Sequence, residues 1–247
     1  MTGYYRRGKG NAEHWDPKTM FGSGMSFAAS EAYKLLRTNI MFSLSDAPDN
    51  CRVIGITSSV QDEGKSSSVC NIAYALTEAG ASVLLLEADL RRPTLAEKMG
   101  LSKTPGLTNL LVSRDSYKDF VQHSSMAPAI DIIIAGDIPP NPSELLGSER
   151  MLHLIESLRQ EYEYILIDLP PVTAVSDAAA VSKNLDGVIV IVRSGVAQRK
   201  ALAETMRQLK MVGVRILGFV YREDMENRSR YKKAYKRYSA YEKTTEK

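Results

Sequence analysis

The residues best suited to chemistry in this chain lie in one stretch, Val53 to Ser68, reading VIGITSSVQDEGKSSS. A short apolar run gives way to a polar loop that ends in Gly64-Lys65-Ser66-Ser67. Glycine followed by lysine and a hydroxyl, between a strand and a helix, suits a polyphosphate. Backbone N–H groups and the helix N-terminus surround the phosphate oxygens, the lysine reaches them, and the hydroxyl ligates Mg²⁺. Lys65 and Ser66 are the candidates for the last two tasks, and Asp62, Glu63, Gly64 and Ser67 complete a nucleotide-binding loop. Ser59 stands where the strict pattern G-x-x-x-x-G-K-[ST] places its first glycine.

Two further sets of carboxylates fall where such a loop needs them. Asp168 closes the apolar run Ile165-Leu166-Ile167, and Glu87 and Asp89 follow Val83-Leu84-Leu85-Leu86. In parallel sheets ligands bind outside the carboxyl ends of the strands, so these acids are expected around Lys65, with Asp168 holding Mg²⁺ directly or through water. One acid at a strand end is more often a helix cap or a surface ion pair; three around one lysine point to a site.

These residues need a scaffold, and strand and helix patterns alternate along the chain. Apolar spacing predicts a helix over Ser26 to Leu44, strands at Val53–Thr57, Ser82–Leu86, Ile130–Ala135, Tyr164–Ile167, Gly187–Val192 and Val214–Tyr221. Helices are predicted over Lys65–Ala79, Asp177–Lys183 and Lys200–Met211, with smaller ones over Pro93–Met99, Gly106–Val112 and Ser116–Gln122. Asp137 to Pro142 reads as a rigid extended turn, with one helix from Ser143 to Arg159 behind it. The expected fold class is α/β: a doubly wound, mainly parallel sheet flanked by helices. Residues 1–25 read as a flexible arm, 26–222 as the folded domain and 223–247 as a flexible tail.

The chain has 247 residues, 44% of them hydrophobic and 25% charged, enough for one large domain with a full core. Cys51 and Cys70 fall in a strand start and a helix, not in a disulfide framework, and no apolar stretch approaches a membrane span, so the expectation is a cytoplasmic protein. The histidines, His14, His123 and His153, lack metal-ligand spacing. The net charge of +3 is uneven, because Arg222 to Lys247 carries nine Lys/Arg against five Asp/Glu. That tail also holds Tyr231, Tyr235, Tyr238 and Tyr241. At helical spacing they would share a face, so the residues alone leave open a docking stripe and a set of phosphoacceptors.

The set SSVQDEGKSS, LLLEADLRRP, GDIPPNPSELL and ILIDLPP, with EAYKLLRTNI ahead and a tyrosine-rich tail behind, resembles the bacterial tyrosine kinases that regulate capsule and exopolysaccharide synthesis. The likeness spans roughly residues 26 to 247. It implies a P-loop NTPase fold of the partition and division-site ATPase type, with Walker A, A′ and B motifs. By that resemblance Lys65 binds the β and γ phosphates, Ser66, Glu87 and Asp168 serve the metal, Arg91 joins the ATP site, and Lys65, Glu87, Asp89 and Asp168 form the catalytic set. Glu87 would accept the tyrosine proton; it occupies a position where the family has Asp, and its arm is one methylene longer. Gln61-Asp62 likewise stands where the family usually has Pro-Gly.

The resemblance further implies ATP and Mg²⁺ as cofactors and autophosphorylation in trans on Tyr231, Tyr235, Tyr238 and Tyr241. A homo-oligomeric ring, by likeness an octamer, would form through Glu31, Lys34 and Arg37. The implied partners are a membrane-embedded polysaccharide co-polymerase, which would recruit the chain to the inner face of the membrane, and a cognate phosphotyrosine phosphatase. No nucleic acid is expected. Two rival readings are a partition or positioning ATPase, whose loop generally carries an early second lysine that is absent between Thr57 and Gly64, and a catalytically weak nucleotide-gated assembly partner.

Overall fold

A computed structural model of the chain describes residues 25–46, 50–125, 129–172 and 180–222. The apolar runs read from the sequence become the strands β1 (Arg52–Ser58), β2 (Val83–Glu87), β4 (Asp131–Ile133), β5 (Tyr164–Asp168), β6 (Gly187–Arg193) and β7 (Ile216–Arg222). They are joined by β3 (Gln122–His123), and the seven form one sheet in the order β3-β4-β2-β5-β1-β6-β7. All pairings are parallel except β3 with β4. Central strands covered on both faces must be apolar at every position, and β2 and β5 are buried almost throughout.

The helices α1 (Phe27–Ser43), α2 (Lys65–Glu78) and α3 (Leu95–Met99) cover one face of the sheet. The other face is covered by α4 (Leu107–Val112), α6 (Glu149–Leu158) and α7 (Arg199–Met211); α5 (Pro142–Leu146) leads into α6. Neighbouring strand residues alternate between the two apolar clusters: Leu84 and Leu86 face one, Leu85 the other. The predicted inward residues of α2, Val69, Ile72, Ala73 and Leu76, are all buried. The order places β1 between β5 and β6, and β5 between β1 and β2, so three strand ends converge on the loop before α2.

Four sequence expectations change. The single helix from Ser143 to Arg159 is two, because the chain breaks at Gly147-Ser148 and the Ser148 side chain accepts the Met151 N–H to start α6. The helix expected over Ser116–Gln122 is a 3₁₀ turn at Tyr117–Phe120 followed by β3. Of the helix expected over Asp177–Lys183, residues 180–181 are helical and Ser182–Asn184 is a 3₁₀ turn, while 177–179 lie outside the described residues. In α1 the apolar periodicity marks a buried face only in part: Ile40 is 3% exposed, but Leu35 and Phe42 are 63% and 75% exposed. Trp15, Phe21 and the tail tyrosines also lie outside the described residues.

Cys51 and Cys70 are both buried free thiols, and no helix among the described residues is long and apolar enough to cross a membrane. Leu85, fully buried in β2, tests the packing of the α2–α3 face. Leu85→Ala is expected to cost about 2–5 kcal/mol in urea unfolding. An unchanged urea midpoint would contradict the described core.

Candidate nucleotide and phosphoryl-transfer site

β1 ends at Ser58, and the backbone must turn sharply before α2 begins at Lys65. The turn is built from two left-handed residues, Gly64 at φ 80° and Asp62 at φ 63°. Gly64 suits this position because its conformation favours glycine, and an added Cβ would also displace the guanidinium of Arg222 from its place against the loop. Asp62 takes a left-handed conformation that glycine adopts without steric cost, and Asp is among the side chains that tolerate it best.

The loop is braced from inside by Glu63, a 1% exposed carboxylate whose Oε2 accepts the N–H groups of Ser59 (2.7 Å) and Val60 (2.9 Å). Its Oε1 accepts the Arg193 N–H from the end of β6 at 3.4 Å. The Gly64 carbonyl accepts from Ser68 Oγ (3.0 Å) and from Arg222 Nη1 (2.9 Å), the last residue of β7. Gln61 is tied outward, its Oε1 accepting from Arg92 Nη1 at 2.7 Å. Glu63 is therefore a strut of the loop through its side chain.

Lys65 is 8% exposed and points along the sheet's carboxyl edge. Its Nζ donates to Asp168 Oδ1 at 2.5 Å and lies 3.5 Å from Asp89 Oδ2. Burial by itself would push the Lys65 ammonium down, but Asp168 and Asp89 outweigh it and hold the group above its ordinary range. Asp89 shifts upward because burial outweighs the pull of Lys65, and its Oδ1 accepts the Arg92 N–H at 3.2 Å.

Two of the three acids expected around Lys65 are thus brought to it, and the third is not. Glu87 sits in register with Asp168 on the adjacent strand, yet both its oxygens are taken by backbone. Its Oε1 accepts the N–H groups of Thr94 (2.6 Å) and Leu95 (2.7 Å), and its Oε2 accepts that of Ala135 (3.0 Å). Burial pushes this carboxyl above the usual carboxylate range against those three donors. The longer arm of Glu87 spans from the strand end to the start of α3 and the end of β4, where a direct role toward metal and substrate was expected from the sequence.

The residues fit Mg²⁺. Among the described residues Asp168 Oδ2 is buried with no hydrogen-bond partner, and Ser66 Oγ stands at the first turn of α2. Together they offer two hard oxygen donors beside the phosphate loop. Among the described residues no cluster of three or more His, Cys, Asp or Glu is placed to hold a metal without a ligand's help. His123 pairs with Asp131 at 2.7 Å and His153 with Glu156 at 3.1 Å.

The remaining sequence candidates fall as follows. Ser67 is buried at the start of α2. Arg91 reaches Ser143 Oγ on α5 at 3.3 Å, linking the second acidic motif to the Pro-rich turn. In α1, Glu31 and Lys34 pair with each other at 2.9 Å, while Arg37 turns inward to the Ala75 carbonyl at 2.9 Å. Of the three residues expected at an oligomer contact, Arg37 is thus turned into the domain. Thr94, Arg92, Arg193 and Arg222 were not singled out from the sequence. Thr94 carried the signal of a hydroxyl just ahead of a short apolar helix; the arginines carried none, since their partners Gln61, Glu63 and Gly64 lie far away in the chain.

Asp62→Gly relieves the one left-handed non-glycine residue among those described. The expected outcome is stabilisation of about 0.5–1 kcal/mol, read as a higher urea midpoint for the nucleotide-free protein. A lower midpoint would show that the Asp62 side chain stabilises the loop.

Comparison with known proteins places this geometry. The AAA domain family model matches residues 51–216, from the start of β1 to the start of β7. The chain is 35% identical over 191 residues to tyrosine-protein kinase YwqD of Bacillus subtilis (strain 168), covering 77% of this chain and 79% of that protein. Tyrosine-protein kinase etk of Escherichia coli (strain K12) is 33% identical over 193 residues, which are 78% of this chain and 26% of that protein. The chain thus spans about a quarter of that longer relative. The crystal structure of the chimerical protein CapA2B2 superposes with a TM-score of 0.77 at 30% identity, covering 83% of this chain and 89% of that one. The septum site-determining protein MinD of Pyrococcus horikoshii OT3, solved with Mg-ADP, has a TM-score of 0.58 at 23% identity over 69% of this chain and 70% of that one, and so shares the fold. A phosphate loop backed by paired aspartates, on this sheet and at this identity over most of a whole kinase, means that the chain belongs to the family of bacterial tyrosine-protein kinases.

Proposed function

We propose that this chain is an ATP- and Mg²⁺-dependent protein-tyrosine kinase whose acceptors are tyrosines in the carboxyl-terminal tail, modified in trans, and that it regulates capsule or exopolysaccharide polymerisation and export. The observation that carries the reading is Lys65, buried between Asp168 and Asp89 at the head of α2.

The loop's N–H groups and the α2 N-terminus receive the phosphates, and Lys65 turns its remaining protons to the β and γ oxygens. Ser66 and Asp168 would hold Mg²⁺, which would supply charge neutralisation on those oxygens. Lys65 then has less need of Asp89, its longer contact at 3.5 Å. We assign to Asp89 the proton of the incoming tyrosine hydroxyl, in place of Glu87, because Glu87's oxygens are occupied by backbone. A carboxylate raised by burial is better matched to that proton than an ordinary aspartate. The phenolic oxygen bonds to the γ phosphorus, the bond to the β–γ bridging oxygen breaks, and ADP leaves with that electron pair. Positioning and charge neutralisation do most of the work.

The same reading assigns residues 26–222 to the kinase domain, between an arm of residues 1–25 and a tail of residues 223–247. Tyr231, Tyr235, Tyr238 and Tyr241 stand among Arg230, Lys232, Lys233, Lys236 and Arg237, so phosphates there would reverse local charge and switch assembly. The assembly is a homo-oligomeric ring using α1, whose exposed Phe27, Leu35 and Phe42 offer apolar area. A membrane-embedded polysaccharide co-polymerase would hold it at the cytoplasmic face of the membrane, and a phosphotyrosine phosphatase would reset it.

With ATP and Mg²⁺, the purified chain is expected to gain phosphotyrosine detectable by mass spectrometry, and Lys65→Met to abolish it. Persistent labelling of Lys65→Met would sink the site assignment; hydrolysis without phosphotyrosine would favour a positioning ATPase. Replacing Tyr231, Tyr235, Tyr238 and Tyr241 by Phe should remove most of the label while leaving ATP affinity intact. Unchanged label in that variant would move the acceptors elsewhere.

A further inference from the structure

Thr94 touches the phosphate loop without belonging to any motif of it. Its Oγ1 lies 3.1 Å from Ser66 Oγ and is placed to hydrogen-bond with it. Thr94 is itself fixed from below: its N–H and that of Leu95 donate to one oxygen of Glu87, at 2.6 and 2.7 Å, and its carbonyl accepts the Lys98 N–H at 3.1 Å to open α3. The other Glu87 oxygen takes the Ala135 N–H at 3.0 Å, so the carboxylate is held on both sides and is 1% exposed.

A serine hydroxyl that ligates a cation uses an oxygen lone pair, and its proton must then be directed to an acceptor away from the metal. The group that takes the proton sets the side-chain rotamer and aims the lone pair. Thr94 Oγ1 is placed for that task, accepting from Ser66 once the metal is present. Its reach depends on Glu87: an aspartate on the same backbone would hold its carboxylate shorter by about 1.5 Å, one carbon–carbon bond, and lose the α3 N–H groups.

We propose that Thr94 is a positioning residue for the metal-binding hydroxyl of Ser66, and that Glu87 acts through Thr94 rather than on the reacting atoms. The proposal rests on the nucleotide-site reading above and extends it to a residue outside the motifs. It also gives the glutamate its own use: it clamps the start of α3 against the phosphate loop.

The test titrates binding of a fluorescent ADP to the full chain at graded Mg²⁺ and with Mg²⁺ chelated. Thr94→Val, which keeps shape and removes the hydroxyl, is expected to raise the half-saturating Mg²⁺ by about tenfold while changing metal-free ADP affinity less than about twofold. Thr94→Ser is expected to stay near the parent. Glu87→Asp should reproduce the Thr94→Val shift, with the double variant no worse than either single one. A Thr94→Val titration that overlays the parent overturns the proposal, as does an equal loss with and without Mg²⁺, which would make Thr94 part of the general cradle. A Glu87→Asp chain that melts like the parent and keeps parental Mg²⁺ dependence overturns the role given to Glu87. Failure of the underlying reading looks different: the parent itself would bind ADP without regard to Mg²⁺, or not at all.

Discussion

A buried ammonium between two buried carboxylates governs this structure. Lys65, Asp89 and Asp168 are each no more than 8% exposed, and charges removed from water to that degree are tolerated only where they compensate one another. Such a cluster is a poor source of stability, because desolvation consumes most of the attraction. It is a ready receiver for a polyphosphate, whose oxygens can take over the lysine without a new burial cost. The strand order serves that arrangement. β5 lies between β1 and β2, so Asp168 emerges beside the loop that follows β1 and beside the acids that end β2.

Around the cluster, acids and arginines act as struts. Glu63 takes loop N–H groups from within, Glu87 clamps the start of α3, Arg222 holds the Gly64 carbonyl and Arg92 holds Gln61. Each satisfies a backbone or side-chain group that a tight, non-repetitive turn leaves without a regular partner. The loop's irregular sequence is thereby accommodated. Gln61 gains a partner that proline would not, and Asp62 occupies a left-handed position at modest strain. The braces from β6 and β7 tie the phosphate loop to the carboxyl ends of both strands.

The amino-terminal helix shows the opposite balance. Most of its apolar side chains remain exposed, and one of its three marked charges turns into the domain to meet Ala75. An apolar stripe at helical spacing states that a face will be buried against something; it does not state whether that something is in the same chain. Here the chain covers the face that carries Tyr33, Leu36 and Ile40, and leaves Phe27, Leu35 and Phe42 exposed.

What the sequence determined by itself was whatever depends on neighbours along the chain. Strand runs, the helix after Gly64, the parallel α/β class and the phosphate loop all follow from local periodicity and from residue types at short spacing. Even the helix error at Gly147-Ser148 was local, a cap read as helix interior. What only the tertiary structure decided was the direction of side chains whose partners are distant in sequence. Glu87 and Asp89 differ by two residues and look equivalent on paper, yet Asp89 turns to Lys65 while Glu87 turns to Thr94, Leu95 and Ala135. Alternation along the backbone cannot distinguish them, because residues two apart at a strand end start out on the same face. The difference comes from the length of the glutamate arm and from amide groups that the fold, and not the strand, brings within its reach.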